Sequence, residues 1–259
     1  MFPGVYGFTW DAGNLIFLGL FFTVVAVIAT TVTIATLRTR RDMRLGKEEA
    51  IRWNEDFHTL PLALRACRHE LTGELRHRSC PNGFDCRACE VHGRFVQAEG
   101  SPGNEELYHR GHTRVRRDSD GNYLIALTEF GKKVFGTPEA ISLPEPGTRV
   151  HVNGKAWTMR RHGQEVRILS PLDGVVITQG TAGDDWCLKL APIGGSIAHL
   201  LNEKEADAWR TRELERLQIL LGDKASPALA DGGELVDDLP AQYPEANWDD
   251  VWGQVFLEG

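Results

Sequence analysis

The sequence predicts an α+β fold, mainly β, preceded by one N-terminal transmembrane helix and a small cysteine-rich segment. Three observations lead there. Leu15 to Leu37 forms 23 consecutive positions without a charged residue. Between residues 108 and 192, short alternating runs are broken by turn dipeptides, the signature of antiparallel strands. From Ser196 to Leu221, apolar residues return at helical spacing.

As a helix, the apolar stretch LIFLGLFFTVVAVIATTVTIATL would be roughly 34 Å long, enough to cross a bilayer core. A cleaved signal peptide is the rival reading. The run is too long for its hydrophobic region, no basic segment precedes it, and no small-residue cleavage site follows it. Residues 1–14 carry no Lys or Arg, whereas Arg38, Arg40, Arg41, Arg44, Lys47 and Arg52 follow the span. The positive-inside rule therefore puts residues 1–14 outside and the larger C-terminal region in the cytoplasm, as for a single-pass inner-membrane protein. Tyr6, Phe8 and Trp10 would sit at the outer interface.

Residues 38–64 mix basic, acidic and apolar positions, as in a juxtamembrane helix ending before Pro61. Residues 65–97 hold four of the five cysteines, and the Gly/Ser/Pro-containing stretch 98–106 separates them from the β-rich region. Its strand candidates are HTRVRR, YLIALT, ISL, RVHV, AWTM, EVRIL, VVITQ and WCLKLA. The intervening turns include Asp120-Gly121, Pro146-Gly147, Asn153-Gly154 and Asp173-Gly174. A helix over 196–221 follows, with Ile197, Leu200, Leu201, Ala208, Trp209, Leu214, Leu217 and Leu221 on its expected buried face and Gly222 ending it.

Cys67, Cys80, Cys86 and Cys89 have the spacing C-x12-C-x5-C-x2-C, with His92 three residues beyond the last. A C-x-x-C turn lets two thiolates reach one ion, and two further cysteines can complete a tetrahedral sulfur set. In a reducing compartment, a cysteine cluster points to metal ligation before disulfides. A structural zinc site is the first reading, with His92 as an alternative ligand. An iron–sulfur cluster is the second, and reduced thiols or a redox-active Cys86-Cys89 pair the third. Glu90 stands where haem attachment needs histidine, and Cys187, on a strand candidate, is expected to be a core residue.

Several motifs then fall in one order: DGNYLIALTEFGKKVFG, SLPEPGTRV, SPLDGVV and WCLKLAP, followed by a helix. Over about 100 residues this segment resembles the H protein of the glycine cleavage system, a lipoyl-bearing carrier. The resemblance implies a lipoyl-type β-sandwich, a barrel-sandwich hybrid, over residues 107–221. In that family the chemistry resides in a lipoylated lysine at the tip of a β-hairpin. The matching position here is Gly163, and the nearest lysine, Lys155, falls at the hairpin base. The resemblance therefore implies the carrier fold without lipoate. The next hairpin, across Ile177 to Asp185, is shorter than in the family.

No other catalytic set is evident. His109, His112, His151 and His162 lack triad order or metal-binding spacing, and the glycine-containing GGSIAH has no phosphate-loop lysine. The net charge of -7 argues against a nucleic-acid partner. The last segment, 222–259, has nine acids against Lys224 alone. Within it Trp248, Val251, Trp252 and Val255 form a stripe at i, i+3, i+4 and i+7, expected to dock on a partner or on the chain's own domain.

Two functional expectations follow. One is a non-catalytic accessory or scaffold subunit, held in the lipid bilayer beside other integral-membrane subunits of a respiratory or other electron-transfer complex. The other is a membrane-tethered metal-binding redox or regulatory module acting through the cysteines.

Overall fold

In a computed structural model, described for residues 11–44, 56–95, 106–181, 183–194, 196–222 and 235–257, the chain divides into two compact units, 1–48 and 49–259. The first unit holds α1 (Ala12–Arg44), whose stretch Ala12–Leu37 is long and apolar enough to cross a membrane. None of that apolar stretch is buried by the chain itself. Thr23, Thr30, Thr33 and Thr36 return their hydroxyls to carbonyls four residues back, so their polar groups do not break the apolar surface. The helix runs on through Arg44, so the segment after Leu37 continues it before leaving the described residues. Tyr6, Phe8, Trp10, Lys47 and Arg52 lie outside them, as do all of residues 45–55, the stretch 96–105 and residues 223–234. Residues 56–59 are helical and stop short of Pro61, as expected.

The second unit is built on two antiparallel sheets. Strands β1 (Leu107–His109), β2 (Thr113–Arg117), β3 (Tyr123–Leu127), β9 (Leu188–Pro192), β8 (Gly174–Gln179) and β5 (Arg149–Val150) lie in that order in one sheet. Strands β4 (Ala140–Ser142), β6 (Lys155–Arg161) and β7 (Gln164–Leu169) form the other. One apolar core joins them: Ile125, Val176, Leu188 and Leu190 from the first sheet with Trp157, Met159, Val166 and Ile168 from the second. Cross-strand partners Trp157–Ile168 and Met159–Val166 place alternate β6 and β7 residues on that inner face.

Four helical elements surround the sheets: α4 (Glu129–Phe135), α5 (Glu203–Leu221), α6 (Leu239–Gln242) and α7 (Trp248–Val255). Helix α4 interrupts the β-rich region where no helix was expected. Thr128 caps it by accepting from the Gly131 amide, and Phe130, Val134 and Phe135 turn inward.

The helix predicted from Ser196 begins instead at Glu203. Asn202 and Glu205 form a reciprocal capping box that fixes the start. Leu200 and Leu201 had extended the apolar period, but Leu201 pairs as a β-bridge with Tyr108. On α5, Ala206, Trp209, Glu213 and Leu217 are buried, whereas Ala208 and Leu214 are only half-buried.

The aromatic stripe is corrected as a partner surface. Trp248, Val251, Trp252 and Val255 on α7 are buried in the core of this chain, Trp252 to 1% exposure. The Trp252 indole donates to the Val134 carbonyl at 3.1 Å, and that of Trp248 to the Tyr243 carbonyl at 2.8 Å. Arg161 pairs with Asp238 at 2.7 Å, and Lys133 donates to the Leu235 carbonyl at 2.8 Å. Of the two alternatives, docking on the chain's own domain is the one observed. Cys187 is half-buried against the same core.

Candidate functional site

The hairpin tip comes first. β6 and β7 pair through Arg161 and Gln164, leaving His162 and Gly163 as a two-residue turn. Their φ angles are 51° and 78°, both in the left-handed region that a type I′ hairpin turn uses. Gly163 is exposed, and nothing lies within 4 Å of where its Cβ would stand. Lys155 opens β6 at the opposite end of the hairpin, paired with Leu169. The tip therefore carries an imidazole and a glycine, and no amine.

The second site is the cysteine-rich segment, which packs within the same unit as the sandwich. Ala66 and Ser79 form a β-bridge, and the Cys67 amide donates to the Arg78 carbonyl at 2.8 Å. These contacts bring Cys67 and Cys80 side by side despite twelve intervening residues. Cys67 precedes the short helix α2 (Arg68–Leu71). Cys86 and Cys89 form a tight turn, with the Cys89 amide donating to the Cys86 carbonyl at 3.2 Å, and α3 (Glu90–Phe95) carries His92. Phe84, at φ 60°, reverses the chain between the second and third cysteines.

This knot is fastened to the sandwich at several points. Arg68 hydrogen-bonds the Glu205 carboxylate of α5, with Nε at 3.0 Å, and Arg87 bridges Asp85 and Asp173. Arg110 donates to the Ala66 carbonyl while its guanidinium stacks 3.9 Å over Phe84. Asn153 donates to the Gly83 carbonyl at 2.6 Å. Phe57, Leu60, Leu64, Cys80, Phe84, Leu169 and Leu257 form a satellite apolar cluster between knot and sandwich.

All four cysteines of the spacing motif, together with His92, line one cavity of about 20 Å³. Arg68, His69, Arg110 and His199 share its wall. Burial pushes the Cys86 thiol up to about 12 and raises that of Cys80, so both are protonated at neutral pH. Burial, followed by the nearby Arg68 charge, holds His92 down at about 4. His69 links His92, at 3.1 Å between Nε2 and Nδ1, to the Glu74 carboxylate on its other nitrogen. All five cysteines are free thiols. Among the described residues, no three His, Cys, Asp or Glu side chains are grouped closely enough to hold an ion as they stand. The donor chemistry still suits a soft metal: thiols with one histidine around a space for a single atom.

Sequence reasoning located the donors but not the Glu74–His69 chain or the arginines beside them. His69 lies two residues past Cys67 and Glu74 five beyond His69; only the folded α2 turn brings them to His92. Of the scattered histidines, His109 and His112 are fully buried rather than solvated. His109 bonds Asn153 at 2.9 Å, and His112 is stacked between Phe130 and Trp209, at 4.7 and 4.6 Å.

No family model matches the chain. It is 26% identical over 124 residues to the glycine cleavage system H protein of Cronobacter sakazakii, covering 47% of this chain and 96% of that protein. The H protein of Shewanella halifaxensis is 25% identical over 119 residues, covering 41% and 91%. A crystal structure of the H protein from Mycobacterium marinum aligns with a TM-score of 0.36 at 16% identity, covering 42% of this chain and 99% of that one. The resemblance read from the motifs is thus a weak but consistent homology to glycine cleavage H proteins.

Proposed function

From that distant homology, we propose that the chain is a non-catalytic, membrane-anchored accessory or scaffold subunit whose H-like domain no longer carries lipoate. The hairpin tip is the observation that supports this reading. Lipoate is held through an amide to a lysine amine, and Gly163 occupies the tip while Lys155 sits at the base. A side-chain-free residue at φ 78° suits a tight turn and offers nothing to acylate.

The rest of the reading follows from the first unit. On this reading α1 anchors the chain in the inner membrane, and the arginines that follow Leu37 argue, through the positive-inside rule, for a cytoplasmic second unit. Gly19 and the threonines Thr23, Thr30, Thr31, Thr33 and Thr36 offer small side chains for close packing against helices of other subunits. A reducing cytoplasmic face suits five free cysteines, and a respiratory or other electron-transfer complex is the assembly we favour there.

The rival, a redox module acting through the cysteines, is favoured by their convergence on one cavity. It is disfavoured by the half-buried, protonated Cys86, since the thiolate is the reactive form. Intact-mass spectrometry of the native chain tests the central step. The proposal expects no lipoyl adduct; an adduct on any lysine would overturn it.

A further inference from the structure

The four cysteines of the spacing motif and His92 line one small cavity, and the protein has built an outer layer around them. His92 contributes the only imidazole of the set, and its Nδ1 is bound to His69 Nε2 at 3.1 Å. His69 in turn holds the Glu74 carboxylate through Nδ1. A carboxylate accepts and cannot donate, so His69 Nδ1 carries its proton toward Glu74. His69 Nε2 is then the acceptor for His92 Nδ1–H. That tautomer leaves the His92 Nε2 lone pair free. A carboxylate–histidine chain behind an imidazole is how proteins orient metal-binding histidines.

Two further features fit a bound cation with anionic ligands. Arg68 lies beside Cys86 and Arg110 beside Cys80, each held in place by bonds to other elements. Their charges would offset the excess negative charge that several thiolates leave around a divalent ion. The cavity, at about 20 Å³, has room for one atom as it stands.

We propose that this cavity binds a single zinc ion, with His92 Nε2 as one of four ligands and thiolates drawn from Cys67, Cys80, Cys86 and Cys89 as the others. Binding pulls these side chains together from the looser arrangement seen, and Glu74 acts as a positioning residue through His69. The role is structural: the knot between residues 65 and 95 has two short helices and one β-bridge of its own, and a metal cross-link fastens such a segment.

The test uses the full chain in mild detergent. Elemental analysis should find about one zinc per chain, with neither iron nor labile sulfide. After exchange to Co²⁺ alone, the visible spectrum should show tetrahedral d–d bands together with sulfur-to-cobalt charge transfer. His92→Gln should change that spectrum, and Glu74→Ala should weaken Co²⁺ affinity about 10- to 100-fold with the band shape retained. Cys86→Ser should lose charge-transfer intensity; should that variant fail to fold, the metal content of the native chain still decides. Absence of zinc, or iron with sulfide, overturns the proposal. An unchanged cobalt spectrum in His92→Gln overturns the histidine ligand, and wild-type affinity in Glu74→Ala overturns the positioning role.

Discussion

Trp252 packs against Phe135 at a ring separation of 4.9 Å, the rings tilted by 31°, and donates its indole proton to the Val134 carbonyl, both in the helix that interrupts the β region. Its replacement by Ala removes a buried ring and leaves that carbonyl unpaired. The expected loss is about 3–5 kcal/mol, read by denaturant unfolding; a loss below about 1 kcal/mol would mean the tail is not part of the core. His109 gives the pH response. Burial, with His199 nearby, lowers its pKa from 6.5 to about 3. The unfolded chain therefore binds a proton that the folded one refuses. Stability from this residue is full above pH 6.5 and is lost as pH falls through that window toward 3, in total on the order of a few kcal/mol. Burial shifts His112 and His199 the same way. His109→Gln should flatten the dependence between pH 6.5 and 4; an unchanged slope would assign it elsewhere. Gly136 was legible only as part of a family motif. It adopts φ 74°, and a Cβ there would stand 1.8 Å from Arg161 Nη1 and 2.3 Å from Asp238 Oδ1. Gly136→Ala should thus cost more than the roughly 1 kcal/mol of left-handed strain, because it also breaks the ion pair that ties the tail to the sandwich.

Among elements, the strands were legible because alternation and turn residues are local signals, and each expected run overlaps an observed strand. What escaped depended on distant partners. Residues 196–202 carry helical periodicity, yet Leu201 answers to Tyr108, more than ninety positions earlier, and the Asn202–Glu205 box overrides the pattern. Glu213 sits on the buried face of α5 because Arg216 and His112 stand beside it, at 2.6 and 3.5 Å, which no hydrophobicity pattern reveals. The tail reads as amphipathic, but periodicity cannot say which surface receives the stripe; the unpredicted α4, together with α5 and β7, forms that surface. Ending the chain after Leu221 should therefore expose Phe135 and Val134. The truncated protein is expected to be more protease-sensitive and to unfold earlier than the full chain, and equal resistance of the two would contradict the tail's structural role.

At the scale of the molecule, an apolar helix and an H-protein-like sandwich share one chain. The cysteine knot was visible as spacing, whereas its attachment to the sandwich through Arg68, Arg87, Arg110 and Asn153 was not, since each of those bonds joins residues far apart in sequence. With the aromatic stripe spent on the chain's own core, the proposed subunit contacts would have to come from the apolar helix and the outer faces of the second unit. The measurement that tests this most directly is purification of the native protein from membranes in mild detergent, with the mass of the particle and the identity of every co-purifying chain determined. A stoichiometric assembly with other integral-membrane subunits is expected. A chain that emerges alone as a detergent-solubilised monomer would contradict it.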